Sequence, residues 1–312
     1  MHSPLLIILL VLLFSLLILW IWIERWHLIL PSTIPALKWM GIKRILKGEI
    51  VNALLYGRWI PQYVKFLSTI TPHLGPRGKA WLENGYHGKI LTPDLAKSII
   101  TLNQDVPLQS LSERVIPYAR ARDIVLSAPL DIVISHCGCK TMRAKPCRKF
   151  SPPYETCILI GKPLTDYLLE HNPTTCRRIS PEEALELLEK FHRSGLVSTG
   201  WFKDCIRDQF YVICNCCDCC CLGFESIRRG VRQLTSSGYV AKIDREKCRG
   251  CGQCQKSCPF KATQLKGEKS ELIWEACMGC GVCVSNCPAG ARALVLDEAK
   301  GLPLDVRNLT PP

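Results

Sequence analysis

Eight cysteines near the C-terminus limit what this chain can fold into more than any other feature. Cys248, Cys251, Cys254 and Cys258 lie in a run C-x2-C-x2-C-x3-C that closes on Pro259. Cys277, Cys280, Cys283 and Cys287 repeat it and close on Pro288. Two residues between thiols let a tight loop turn three sulfurs toward one centre. Gly250, Gly252, Gly279 and Gly281 stand between those thiols. Without a Cβ they accept positive φ and let backbone N–H groups approach sulfur. The fourth cysteine comes one turn later, and the proline after it ends the segment. Structural zinc also uses C-x2-C pairs. Two complete copies of the longer run point instead to two 4Fe-4S clusters.

The flanks agree. Tyr239 to Ile243 reads as a strand entering the first run, and Ala293 to Leu296 as its partner after the second. Between the runs, residues 262–265 and 271–274 read as a hairpin around Lys266-Gly267-Glu268. Residues 239–296 thus resemble a bacterial-type ferredoxin domain with two 4Fe-4S clusters. The resemblance implies crossed ligation, in which the fourth cysteine of each run serves the other cluster. The expected sets are Cys248, Cys251, Cys254 and Cys287 for one cluster, and Cys277, Cys280, Cys283 and Cys258 for the other.

At 312 residues the chain has room for two or three domains, so most of it lies outside this unit. Twelve of its 20 cysteines also lie outside. Beside oxygen-sensitive clusters they fit a reducing compartment better than a disulfide framework. A net charge of +13 fits a basic solvated surface, and beyond that attraction to anionic lipid or to an acidic redox partner. No nucleic-acid recognition motif is present. Nor is there a dinucleotide glycine motif, a phosphate-binding loop or a covalent haem site, so no nucleotide cofactor is expected.

Leu5 to Ile23 carries no charge and a single hydroxyl, Ser15. At 1.5 Å per residue it would reach roughly 28 Å, the width of a hydrocarbon core. Lys38, Lys43, Arg44 and Lys47 follow it, with no Lys or Arg before it. This reads as a retained single-pass anchor in the cytoplasmic membrane with the body facing the cytoplasm. From Ala36 to Ile70 an amphipathic stretch broken at Pro61 reads either as an interfacial helix or as a helix packed on the body.

Further on, Thr92-Pro93-Asp94 and Ser180-Pro-Glu-Glu183 read as helix starts. Residues 117–126 read as another helix, and Asp131 to Ile134 as a buried strand running into Cys137. The cysteines here fall in two sets. Cys137, Cys139, Cys147 and Cys157 lie among Lys140, Arg143, Lys145, Arg148 and Lys149, whose charge favours thiolate. Cys214, Cys216, Cys217, Cys219, Cys220 and Cys221 fall within eight residues. Adjacent thiolates repel, so metal is the natural counter-charge. One or more further iron–sulfur clusters is the leading reading; zinc or another soft metal, and a thiol–disulfide relay, are the others. Cys176 and Cys205 read as packing residues. His87, His136, His171 and His192 read as structural or surface histidines, with ligand or proton-donor roles as the alternative.

The segment from Tyr86-His-Gly-Lys89 to Cys221, with its CNCCDCCC run, resembles a family of membrane-anchored 4Fe-4S proteins with no assigned reaction. Lys140 stands where that family has arginine. The expected fold class is α+β: an N-terminal transmembrane helix, a cysteine-rich α+β middle domain and a C-terminal two-cluster ferredoxin fold. The boundaries are 1–27 for the anchor, 28–85 for a basic juxtamembrane region, 86–235 for the middle domain, 236–298 for the ferredoxin unit and 299–312 for a tail. The expected function is single-electron transfer with a redox partner protein. The alternatives are an iron–sulfur oxidoreductase with a catalytic cluster or reactive thiols in the middle domain, and a metal-handling or redox-sensing protein.

Overall fold

The computed structural model describes residue 8 and residues 11–18, 29–107, 115, 125–126 and 130–308. The N-terminal expectation is corrected first. Residues 11–18 are helical (α1), and no helix among the described residues is long and apolar enough to cross a membrane. The rest of the expected span lies outside the described residues. A single-pass anchor, and the localisation and membrane partnership built on it, are therefore not supported. Arg44, one of the basic residues that gave the span an orientation, instead forms ion pairs within the protein. It lies 2.8 Å from Glu49 and 3.0 Å from Asp208.

The amphipathic region becomes short helices packed on the body. They are α2 (Thr33–Met40), α3 (Ile42–Leu46), α4 (Glu49–Arg58) and α5 (Ile60–Ile70), with α6 (Pro76–Gly85) leading into the first strand. Pro61 sits in the first turn of α5, where a missing N–H costs nothing. Val64 and Leu67 of α5 are buried against Leu82, Leu222 and Val231.

The centre is a seven-stranded sheet, in the order β6-β4-β5-β8-β7-β1-β9. Its strands are β1 (Tyr86–Ile90), β4 (Ile132–His136), β5 (Glu155–Ile160), β6 (Cys176–Arg178), β7 (Val197–Lys203), β8 (Gln209–Cys216) and β9 (Leu234–Thr235). β2 (Val106–Pro107) and β3 (Val125–Leu126) pair separately. Of the helix expected over 117–126, residues 125–126 are strand and the rest lies outside the described residues. The sheet is antiparallel apart from the β1–β9 pair. Apolar clusters cover both faces. Leu95, Ile99, Leu188 and Phe191 pack in one, and Tyr167, Leu168, Trp201 and Phe224 in the other.

Helices α7 (Pro93–Ile100) and α10 (Pro181–Arg193) supply much of the first cluster. Both starts are capped as their sequences suggest. Thr92 Oγ1 accepts from the Leu95 N–H and Ser180 Oγ from the Glu183 N–H. The other helices of this region are α8 (Gly138–Thr141), α9 (Leu164–His171) and α11 (Leu222–Arg228).

The C-terminal unit has the expected pseudo-symmetry. β10 (Tyr239–Ile243) pairs with β13 (Arg292–Leu296), and β11 (Thr263–Lys266) with β12 (Lys269–Leu272). Helices α12 (Gln253–Ser257) and α13 (Val282–Ser285) follow the cysteine loops. The α+β class stands, without the membrane helix. This unit docks on the sheet domain through α13 against α10 and through an edge-to-face contact of Phe260 with Phe224 at 5.0 Å.

Candidate functional site

The two C-terminal runs fold into loops that each need glycine. Gly250 and Gly279 have φ of 64° and 65°. A Cβ on Gly250 would collide with the Glu268 backbone, and one on Gly279 with the Tyr239 carbonyl. The loops surround two cavities. Cys248, Cys251, Cys254 and Cys287 line one; Cys258, Cys277, Cys280 and Cys283 line the other. Donors point at the sulfurs. The amides of Ser270 and Gly250 hold the Cys248 thiol below its usual range. The Ala262 and Ala291 N–H groups lie 3.2 and 3.3 Å from the sulfurs of Cys258 and Cys287. Burial pushes the Cys283 thiol up to about 11, against the nearby Arg292 guanidinium. Four convergent sulfurs with N–H donors and glycine-cleared space fit a cubane cluster in each cavity.

Arg292 is a site residue that sequence reasoning missed. It is 5% exposed. Its Nη1 is 3.7 Å from Cys283 Sγ, and its Nη2 donates to Ser270 Oγ at 2.7 Å. Ser270 Oγ is in turn 3.2 Å from Cys254 Sγ. One buried cation therefore reaches both thiol sets. An arginine just past the second run was the available signal, but only the β10–β13 pairing turns it inward.

In the sheet domain the structure regroups the ten cysteines. Cys147, Cys217, Cys219 and Cys220 converge, with all four sulfurs within 4.8 Å of one another. Cys147 lies 3.7 Å from Cys217 and 3.8 Å from Cys219. Burial opposes ionisation of Cys219, but the Arg148 amide and the neighbouring thiols bring it down to about 7. Asp218 between them lies 3.7 Å from both Arg148 and Lys149. The other six, Cys137, Cys139, Cys157, Cys214, Cys216 and Cys221, gather around a separate cavity of about 70 Å³. So Cys147 leaves its sequence neighbours and joins three members of the cysteine run, while the other three join Cys137, Cys139 and Cys157.

The strand period explains the split. Cys214 and Cys216 alternate onto one face of β8, and Cys214 pairs across the ladder with Cys157 of β5. The chain leaves the sheet after Cys216, and the turn carries Cys217, Cys219 and Cys220 to the cluster on the opposite face. Cys221 returns to the first face as it enters α11.

Lys140 lies between the groups. Its Nζ donates to Thr156 Oγ1 at 2.9 Å and to the Asn215 carbonyl at 2.8 Å. Burial opposes its charge, yet the thiols of Cys137, Cys217, Cys216 and Cys157 hold it well above the usual lysine range. The tyrosine rim of the six-thiol cavity was not read from sequence. Tyr56 and Tyr211 hydroxyls lie 2.5 Å apart, and Lys203 Nζ lies over the Tyr56 and Tyr63 rings. Their signal in the sequence is an ordinary amphipathic pattern.

The remaining cysteines and histidines lie apart. Cys176 and Cys205 are buried, and burial raises Cys205 to about 12. His171 pairs with Thr33 Oγ1 at 2.9 Å and stacks on Tyr167. His192 packs beside Gly281. His87 is buried in β1 and His136 ends β4. No histidine joins a potential metal group among the described residues.

Residues 241–288 match the family model of a 4Fe-4S dicluster domain. No curated protein and no solved structure matches the chain. The wider resemblance to membrane-anchored iron–sulfur proteins finds no support in these comparisons. The match and the clustered thiols define an iron–sulfur protein with a ferredoxin-type domain.

Proposed function

We propose that this chain is an electron-transfer protein. Its ferredoxin-type domain exchanges single electrons with a partner at an exposed face and with cysteine-ligated centres of the sheet domain on the other side. Cys248, Cys251, Cys254 and Cys287 would hold one 4Fe-4S cluster, and Cys277, Cys280, Cys283 and Cys258 the second. Cys147, Cys217, Cys219 and Cys220 would hold a further metal. Such clusters supply one-electron chemistry at potentials tuned by the protein around them.

The observation that carries the reading is the order of exposure. Cys251 is exposed, with exposed Arg249, Lys256 and Lys261 near it in sequence. Cys280 is buried, in the same apolar cluster as Cys216 and Cys221 of the sheet domain. One thiol set is thus open to a partner, and the other is joined to the middle domain by packed side chains. The basic residues favour an acidic partner.

The test is anaerobic purification of the full chain with iron and sulfide counting and electron paramagnetic resonance. Two ferredoxin clusters contribute about 8 iron atoms. Cys258→Ala should alter the signal of the cluster assigned to Cys277, Cys280 and Cys283 more than the other. Protein prepared this way that holds no iron, or that cannot be reduced reversibly, would overturn the proposal.

A further inference from the structure

Cys147, Cys217, Cys219 and Cys220 differ from the ferredoxin-type sets in how closely their sulfurs meet. All four lie within 4.8 Å of one another. Cys147 is 3.7 Å from Cys217 and 3.8 Å from Cys219, and Cys219 is 3.6 Å from Cys220. Among the described residues, no three thiols of the C-terminal runs converge this tightly.

We propose that these four thiolates hold a single tetrahedral metal ion, not a cluster. The inference rests on the further metal assigned to them above and narrows it to one atom. Size comes first. A tetrahedral ion with metal–sulfur bonds of about 2.3 Å sets its sulfurs roughly 3.8 Å apart. The three contacts above fall at that edge length. A cubane carries each cysteine on a different iron, so its four cysteine sulfurs stand out beyond the corners of a cube and do not touch. The ferredoxin-type sets, spread around their cavities, are of that wider kind.

Preorganisation comes second. The Cys221 N–H donates to the Cys217 carbonyl at 3.2 Å and closes the turn that carries three of the thiols. Arg143 Nε and Nη2 donate to the Cys220 carbonyl at 3.1 and 2.9 Å. Arg148 and Lys149, which follow Cys147 in the chain, both reach Asp218 of the turn at 3.7 Å. These contacts hold the turn against the Cys147 segment. Charge comes third. Four thiolates on one divalent ion keep a net negative charge, which the adjacent Arg148 and Lys149 offset. Disulfides do not account for the group. A disulfide joins sulfurs in separate pairs at about 2 Å. Here Cys147 and Cys219 each touch two other sulfurs, and all four cysteines are free. Zinc and iron both take this geometry. An iron ion there exchanges one electron; a zinc ion, without redox chemistry, fastens the Cys147 segment to the end of β8.

The test uses the full chain, purified anaerobically and assayed for iron, zinc and acid-labile sulfide. Cys217→Ala with Cys220→Ala removes two of the four ligands and leaves the ferredoxin-type cysteines intact. The variant should lose about one metal atom per chain, with sulfide content and ferredoxin resonance signals unchanged. The element lost tells iron from zinc. A loss of about 4 iron atoms with matching sulfide would mean a cubane, and an unchanged metal content would mean no ion; either overturns the proposal. Should the variant fail to fold, wild type alone decides. Cubane clusters balance iron and sulfide, so iron plus zinc should exceed sulfide by about one atom or more per chain. Equal counts would refute a single ion. Failure of the electron-transfer reading looks different, because the ferredoxin signals would be missing from wild type.

Discussion

Lys89 and Lys140 are 1% and 2% exposed, and their amines shift in opposite directions. Around Lys140, thiols outweigh burial and keep the ammonium charged. Around Lys89, burial acts alone and lowers the amine from 10.5 to about 7. The sign follows from linkage. Between pH 7 and 10.5 the unfolded chain binds the extra proton, so stability rises with pH across that window. Lys89→Met should therefore raise the melting temperature most at or below neutral pH, with the gain shrinking toward pH 10.5. Melting curves across that range check it; a gain independent of pH would refute the assignment. Arg292 works on redox balance instead. A buried cation beside Cys283 favours the more negative, reduced cluster. Arg292→Leu should lower a ferredoxin potential by about 60 mV or more, a tenfold change in a one-electron equilibrium. Arg292→Lys should recover part of it. Redox titration reads both, and an unchanged potential would remove Arg292 from the site.

Single elements decide which thiols meet. Strand β8 alternates Cys214 and Cys216 onto one face, and its end at Cys216 releases the next three cysteines into a turn. The ferredoxin loops rely on glycine in a way that can be isolated. Gly279 and Gly267 share a positive φ, 65° and 60°. A Cβ on Gly279 would strike backbone, whereas one on Gly267 meets nothing within 4 Å. Alanine at either costs about 1 kcal/mol of conformational strain. Only Gly279→Ala should in addition lower iron content, and iron assays on both variants test this. Equal iron loss in the two would show that strain, not close approach, governs the loop.

Across the whole molecule, the ferredoxin-type unit joins two environments. One side presents Cys251 and basic residues to solvent; the other buries Cys280 against the sheet domain. Arg249→Glu with Lys256→Glu should slow electron exchange with an acidic ferredoxin or flavoprotein by about tenfold at low salt. The difference should fade near 1 M salt, where screening reaches about 3 Å. Stopped-flow kinetics at both ionic strengths check this, and a salt-independent effect would indicate damage to the fold rather than loss of steering.

The sequence by itself determined what is local. The two cysteine runs, their glycines, the flanking strands and the helix caps at Thr92 and Ser180 depend on neighbours a few residues away, so spacing and residue type suffice. The α+β character was legible for the same reason. The N-terminal apolar run was read as a span from its composition, and no helix among the described residues is long and apolar enough to cross a membrane. The grouping of the sheet-domain thiols belonged to the tertiary structure. Cys147 meets Cys217 and Cys157 meets Cys214 across separations of 70 and 57 residues, through a strand order that no local pattern encodes. Register and strand order are set by side chains packing on both faces of the sheet, and only that packing turned ten cysteines in two sequence sets into a group of four and six around one cavity.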